Sequence, residues 1–223
     1  MRYHLAMLGA GLLAATALSA QAKDDWDVTQ PRGKTREIDF TVSEGTWTQV
    51  DVSPDGQWIV FDLLSQVYRM PAAGGQAEAL TQNSGIAVNF HPRISPDGKS
   101  IAFISDRKGQ NNLWIMDADG GNPRQVIDDQ IAMMRSPAWT ADGQFVIVVK
   151  MVGFGGRTLT MYHKDGGLGI DLVKGEAGRM PARPTTSADG RYLYYDVYTA
   201  RPTGFSGQED VLKGSVQIHR YDL

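Results

Sequence analysis

In the stretch Ile94-Ser95-Pro96-Asp97-Gly98-Lys99-Ser100-Ile101-Ala102-Phe103-Ile104-Ser105-Asp106-Arg107, a turn signal runs directly into a strand signal. Pro96 presets φ for the first corner of the turn, Asp97 tolerates the second, and Gly98 takes the left-handed position. An Asp-Gly pair between apolar runs is a strong hairpin signal. Ile101-Ala102-Phe103-Ile104 is apolar on both faces, which suits a strand packed on both sides rather than one half exposed to water. A further strand follows at Leu113-Trp114-Ile115-Met116, then a glycine turn at Asp119-Gly120-Gly121, then an outer strand at Arg124-Gln125-Val126-Ile127.

The same unit recurs on either side. Its turn appears as Ser53-Pro54-Asp55-Gly56, Thr140-Ala141-Asp142-Gly143 and Ser187-Ala188-Asp189-Gly190, so that successive turns are 42, 45 and 47 residues apart. Each turn leads into an apolar run: Trp58-Ile59-Val60-Phe61, Phe145-Val146-Ile147-Val148-Val149 and Tyr192-Leu193-Tyr194-Tyr195. A period of roughly 40 to 50 residues with this pattern fits the four-stranded blades of a β-propeller. A sandwich of unrelated hairpins would not repeat its sequence at a fixed period. The fold expected is therefore all-β, a propeller with blades at 46–81, 89–127, 136–173 and 181–223. The fourth unit reaches Tyr221-Asp222-Leu223 without a second glycine turn or an outer strand. Closed propellers usually hold about 4 to 8 complete blades. The expectation is thus an incomplete ring, three full blades and most of a fourth, belonging to a longer protein. Within the N-terminal segment 23–45, Glu37-Ile38-Asp39-Phe40-Thr41-Val42 is expected to be a ring-closing strand.

Composition removes several classes of function. Of 223 residues 42% are hydrophobic and 21% charged, which excludes a disordered chain, and the net charge of −3 leaves no broad basic face for nucleic acid. The absence of cysteine excludes a disulfide scaffold, a thiolate metal site, a cysteine nucleophile and a lipoprotein anchor. Residues 1–22 read as a secretory signal peptide. Arg2 gives a positive start, Leu5 to Leu18 are uncharged, and Ala20-Gln21-Ala22 offers a cleavage site. The mature chain is expected in a bacterial periplasm or outside the cell, cut after Ala22, with no membrane span.

Signs of chemistry within the chain are sparse. His4 lies in the signal, and His91, His163 and His219 are too far apart in sequence for a His-x-His pair. Gly204-Phe205-Ser206-Gly207 is one position short of a nucleophile elbow. Gly153-Phe154-Gly155-Gly156 has no helix or Lys-Ser/Thr after it and reads as a hairpin. Asp117-Ala118-Asp119-Gly120 hints at a calcium loop but lacks the later Glu. Asp106 and Arg107 are expected to pair. No catalytic, cofactor-binding or metal-binding residue is assigned. Trp47, His91, Met134, Arg135 and Arg183 are the candidates for lining a central channel, each placed just before an inner strand.

The second unit, from Ile94 to Val126, resembles the repeat of TolB-type β-propellers, the WD40-like repeat of exported proteins. A narrower resemblance involves Trp26-Asp27-Val28, Thr35-Arg36-Glu37, Glu44-Gly45-Thr46-Trp47, Val50 to Gly56, Phe61-Asp62-Leu63-Leu64 and Ile218-His219-Arg220-Tyr221-Asp222-Leu223. These look like the N-terminal propeller of exported amidohydrolase-family proteins, similar to imidazolonepropionase and related enzymes. The resemblance implies that a metal-dependent hydrolase domain follows the propeller and alone holds the divalent metal, with zinc expected. It implies as partners that C-terminal hydrolase domain or envelope proteins, with the propeller a scaffold, binding surface or substrate gate. Two alternatives stand beside it: a TolB-like periplasmic interaction protein without an enzyme, and the propeller of a prolyl oligopeptidase-type serine peptidase.

Overall fold

The structure is a computed structural model that describes residues 27–36, 40–45, 48–153, 156–176, 178–199 and 216–223. The signal region 1–22, Trp47 and the Gly204–Gly207 loop lie outside the described residues. Blade 1 is β1 (Val50–Val52), β2 (Trp58–Leu63), β3 (Gln66–Pro71) and β4 (Glu78–Ala79). Blade 2 is β5 (Asn89–Ile94), β6 (Ser100–Ser105), β7 (Asn112–Asp117) and β8 (Arg124–Gln125). Blade 3 is β9 (Met133–Trp139), β10 (Phe145–Val152), β11 (Gly156–His163) and β12 (Ile170–Lys174). Blade 4 is β13 (Arg179–Thr186), β14 (Tyr192–Thr199) and β15 (Val216–Asp222). Every sheet is an antiparallel meander with strands in chain order, three of four strands and one of three.

The outer strands of blades 1 and 2 are two residues long, shorter than the four-residue runs expected. Leu80 and Val126 still donate one backbone bond each, to Val67 and Leu113, and then leave the ladder. Phe40–Val42 belong to no strand, while 37–39 lie outside the described residues, so the expected ring-closing strand is not seen in its described part. One 3₁₀ turn, Gln82–Ser84, is the helical element among the described residues, and none there is long and apolar enough to cross a membrane.

The core lies between blades. Trp58, Val60 and Val67 of blade 1 meet Ile101, Phe103, Trp114 and Met116 of blade 2. The opposite face of blade 2, with Ala102, Ile104, Leu113 and Ile115, meets Met134, Val146, Val148 and Tyr162 of blade 3. Ile147, Val149 and Leu159 then meet Leu193 of blade 4. Strands apolar on both faces are needed because alternate side chains go to different neighbours.

The recurring tetrapeptide builds one network four times. In blade 2 the Ser95 hydroxyl donates to Asp97 Oδ1 at 2.6 Å, the same carboxylate accepts the Lys99 amide at 3.1 Å, and Ser95 Oγ accepts the Ser100 amide at 2.9 Å. Ser53 with Asp55, Thr140 with Asp142 and Ser187 with Asp189 repeat it. These bonds hold the Asp55, Asp97, Asp142 and Asp189 carboxyls below their usual pKa, the hydroxyl bond being the largest cause in each. Gly56, Gly98, Gly143 and Gly190 sit at φ of +69, +71, +65 and +73°.

Neighbouring blades are also tied through the outer glycine turns. Arg69 Nη1 donates to Ala118 O at 3.1 Å, and Arg124 Nη1 donates to Lys164 O at 2.7 Å. Asp106 and Arg107 do not pair with each other. Asp106 accepts the Val88 amide, and Arg107 reaches Asn89 Oδ1, both in the segment that starts blade 2.

Two glycines separate conformational from steric cost. A Cβ on Gly98 would meet only Pro54 at 3.6 Å, so Gly98→Ala should cost about 1–2 kcal/mol for its left-handed backbone alone. A Cβ on Gly120, at φ +86°, would lie 2.9 Å from Leu80 O of the preceding blade. Gly120→Ala is therefore expected to lower the urea midpoint clearly more than Gly98→Ala. Equal shifts would show that the outer turn of blade 2 does not pack against blade 1 as described.

Candidate functional site at the inner-strand channel

The inner strands β1, β5, β9 and β13 run side by side at the narrow end of the blades. Three of them carry a bulge at the same place. His91, Ser136 and Arg183 have φ of +55, +49 and +45°, and the ladder to the next strand shifts register beside each. Each stands four residues before the Ser or Thr of the blade's turn, and each precedes a proline, Pro92, Pro137 or Pro184. Proline has no amide hydrogen, so it fits where a bulge interrupts the ladder. This X-Pro-x-x-Ser/Thr period was present in the sequence and is the signal that motif reading missed. A left-handed non-glycine residue costs on the order of 1–3 kcal/mol and persists only when its surroundings hold it.

Those surroundings are polar. Asp62, buried at the end of β2, accepts the Gln49 amide at 2.6 Å with Oδ1 and the His91 amide at 2.7 Å with Oδ2. It therefore satisfies the corresponding positions of blades 1 and 2 together. The His91 ring does the same for blade 3, its Nδ1 accepting the Ser136 amide at 3.1 Å, which places the ring proton on Nε2. Asp51 Oδ1 accepts the Val52 amide at 3.0 Å and Oδ2 the Ile94 amide at 2.8 Å. Trp139 Nε1 donates to Arg93 O at 3.0 Å, and Thr186 Oγ1 donates to Trp139 O at 2.7 Å. In blade 4, Arg183 pairs through Nε with Asp196. A side-chain bridge thus crosses each junction from blade 1 to blade 4.

Between these strands opens a cavity of about 390 Å³ lined by all four blades, including Gln49, Asp51, Arg93, Ser136, Arg183 and Thr185. Of the channel candidates, Arg183 is on its wall. His91, Met134, Arg135 and Arg183 stand inside β5, β9 and β13 rather than just before them. Met134 is fully buried in the contact between blades 2 and 3, because β9 alternates and turns that position inward. Arg135 is exposed and is not among the residues that line the cavity. His91 turns toward Ser136 and packs edge-on against Phe90. Asp117 and Asp119, the calcium-like pair, are engaged by Asn122 Nδ2 and the Gly121 amide. Among the described residues no three His, Asp or Glu side chains come together to suit a divalent metal.

Antiparallel meanders packed face to face, with their inner strands side by side along a channel, define the blades of a β-propeller. The chain belongs to the TolB beta propeller domain family, which matches residues 32–203. Over 65 residues it is 42% identical to the uncharacterized peptidase YuxL of Bacillus subtilis, a match covering 29% of this chain and 10% of that protein. It is 28% identical over 164 residues to the Tol-Pal system protein TolB of Helicobacter hepaticus, covering 70% of this chain and 38% of the relative. A solved TolB structure from Agrobacterium tumefaciens superposes with a TM-score of 0.60 at 22% identity, over 78% of this chain and 57% of that one, a likeness of fold. The chain spans less than half the length of either curated relative.

Burial pushes His91 down to about 4, with the Arg93 and Arg135 charges adding to the shift and Asp62 opposing it. The unfolded imidazole takes up its proton near pH 6.5, and the folded one only near 4. The unfolded chain therefore binds more protons between those values, and stability falls as pH drops from about 6.5 to 4. His91→Gln, which installs the residue that Gln49 supplies in blade 1, should flatten that part of the curve by about 2 kcal/mol after allowance for partial exposure. The turn carboxylates act below this window, so the two effects separate in pH-dependent urea melts. An unchanged slope in His91→Gln would remove His91 from this role. Asp62→Ala strips the acceptor from two amides and should cost about 2–4 kcal/mol in the same melts at pH 7.

Proposed function

We propose that this chain is an exported, non-catalytic propeller whose inner-strand channel binds or gates substrate for a hydrolase domain of the same parent protein. The observation that carries the proposal is the use made of the ionisable groups around the cavity. Asp51, Asp62, Asp196 and the His91 ring are each engaged in holding inner strands, by backbone amides or by Arg183. What remains is a polar opening walled by Gln49, Arg93, Ser136 and Thr185, suited to contact rather than to proton transfer.

The parent in this reading is a metal-dependent amidohydrolase in which a metal-activated water cleaves a C–N bond. Its support is the resemblance of the segments from Trp26 to Leu64 and from Ile218 to Leu223, together with the signal-like residues 1–22, which favour export to the periplasm or beyond. A serine-peptidase parent is the second reading, favoured by the 42% identity with the peptidase YuxL. The similarity to a Tol-Pal system TolB favours envelope partners for the same surface.

The chain supplied with zinc is expected to turn over neither amide nor peptide substrates, and metal-dependent turnover would overturn the non-catalytic reading. In the parent hydrolase, Thr185→Trp at the cavity wall should lower kcat/KM for bulky substrates about tenfold and leave the smallest one unchanged. An equal loss on all sizes would count against gating.

A further inference from the structure

The blades have two unlike ends. One carries the Asp-Gly turns and the outer glycine turns, and with them Asp55, Asp97, Asp142, Asp189, Asp119 and Asp165. The lining of the cavity reaches this end through Pro54, Ser95, Pro96 and Thr186. The other end carries the hairpins from second to third strand and the linkers between blades. Hydrogen bonds join these into one surface. Ser65 O accepts the Asn89 amide at 3.0 Å, Asp106 Oδ1 accepts the Val88 amide at 2.8 Å, and Asn111 O accepts the Met134 amide at 2.8 Å. The N-terminal segment is tied to this end at two places. Thr29 O accepts the Ile86 amide at 3.3 Å, and a Cβ on Gly45 would meet Leu63 Cδ1 at 2.8 Å.

This linker end presents aliphatic side chains on four separate segments, with Leu64 68%, Ile86 52%, Ile131 78% and Val152 53% exposed. Leu64 is there at a conformational cost. It and Ser65 form a two-residue hairpin loop between Leu63 and Gln66, at φ of +48 and +69°. Such a loop favours Asn-Gly, because both of its residues are left-handed. A leucine adds strain there, and at an exposed tip it gains little burial in return. The loop is nonetheless pinned, since Ser65 O also accepts the side-chain amide of the buried Asn89 at 3.1 Å. The same end carries exposed cations, Lys34, Arg36 and Lys108. Three of its acids are occupied by backbone amides: Asp27 by Thr29, Asp106 by Val88 and Asp129 by Ile131. The linker 80–88 has no charged residue.

We propose that this end docks on the surface of an anionic phospholipid bilayer. Leu64, Ile86, Ile131 and Val152 enter the interface, and Lys34, Arg36 and Lys108 lie among the lipid phosphates. A bilayer accepts aliphatic tips carried on separate segments without the matching shape that a protein groove would have to supply. Charge fixes the orientation. The Asp-Gly end is repelled by the same surface, so the cavity mouth turns toward solvent. Leu168, 99% exposed, follows the outer glycine turn of blade 3 at that acidic end, three residues after Asp165, and is kept away from the lipid. The docking does not depend on what the channel binds.

The test is sedimentation of the protein, purified as its host produces it, with vesicles at low salt. Vesicles of equal parts phosphatidylglycerol and phosphatidylcholine are expected to bind it at least about tenfold more strongly than pure phosphatidylcholine. Leu64→Asn should weaken that binding about tenfold while raising the urea midpoint, because asparagine suits the left-handed position that leucine strains. Opposite effects on binding and stability separate a docking role from a structural one. Lys108→Gln should weaken binding about fivefold. Leu168→Asn and Lys99→Gln, both on exposed residues of the Asp-Gly end, should leave it unchanged. No binding to the anionic vesicles, or equal losses from the variants of both ends, would overturn the proposal. So would a Leu64→Asn protein that keeps its lipid binding and loses a protein partner instead, which would make this end a protein interface.

Discussion

A strand that is apolar on both faces cannot be stable in a lone sheet, and this constraint governs the whole molecule. The runs β6 and β10 send alternate residues to different neighbours, so blades 2 and 3 are each one half of two cores. Burial of this kind is worth about 25 cal/mol per Å² of apolar surface, and in a blade it is realised only when the next blade is in place. Stability is accordingly a property of junctions more than of blades. The Asp-Gly turns and two-residue outer strands position the sheets, and the junctions supply most of the apolar burial.

Packing strands side by side at the channel creates a difficulty. The bulges there leave backbone amides without a ladder partner, and an unmet buried amide costs about 1–3 kcal/mol. Each junction meets it differently. Asp62 serves blades 1 and 2 with two oxygens, and the His91 ring carries the arrangement on to Ser136 of blade 3. The groups that look most like chemistry in the sequence, a histidine and several carboxylates near a channel, are thus part of the scaffold. The cavity inherits its walls from this solution, and its binding character comes from what is left over.

The turn was legible because its determinants are local: four residues contain the donor, the acceptor and the left-handed glycine. The blades were legible because the turn repeats. The bulges were not, since a left-handed His91 or Arg183 follows from the ladder and from acceptors on other strands, although the proline after each marked the place. Asp62 and Asp196 were visible as acids inside apolar strands at the same distance from their turns, and comparing the repeats position by position would have singled them out. Met134 was misplaced because one residue of register separates the channel from the core in β9. The shortening of β4 and β8 had no local signal, as Leu80 and Val126 are good strand residues that turn to pack on the neighbouring blade.

Polar junctions also answer a problem that apolar ones leave open. Leucine, isoleucine and valine faces are interchangeable, so a chain of similar blades could pair out of order with little penalty. A buried carboxylate that must find a particular amide, and a guanidinium that must find a particular carbonyl, make mispairing expensive, because a charge left buried without its partner costs several kcal/mol. Asp62 with Arg69 marks the junction of blades 1 and 2 in this way. A marked face of this kind gives a repetitive chain a means of keeping its blades in register while most of the burial remains hydrophobic.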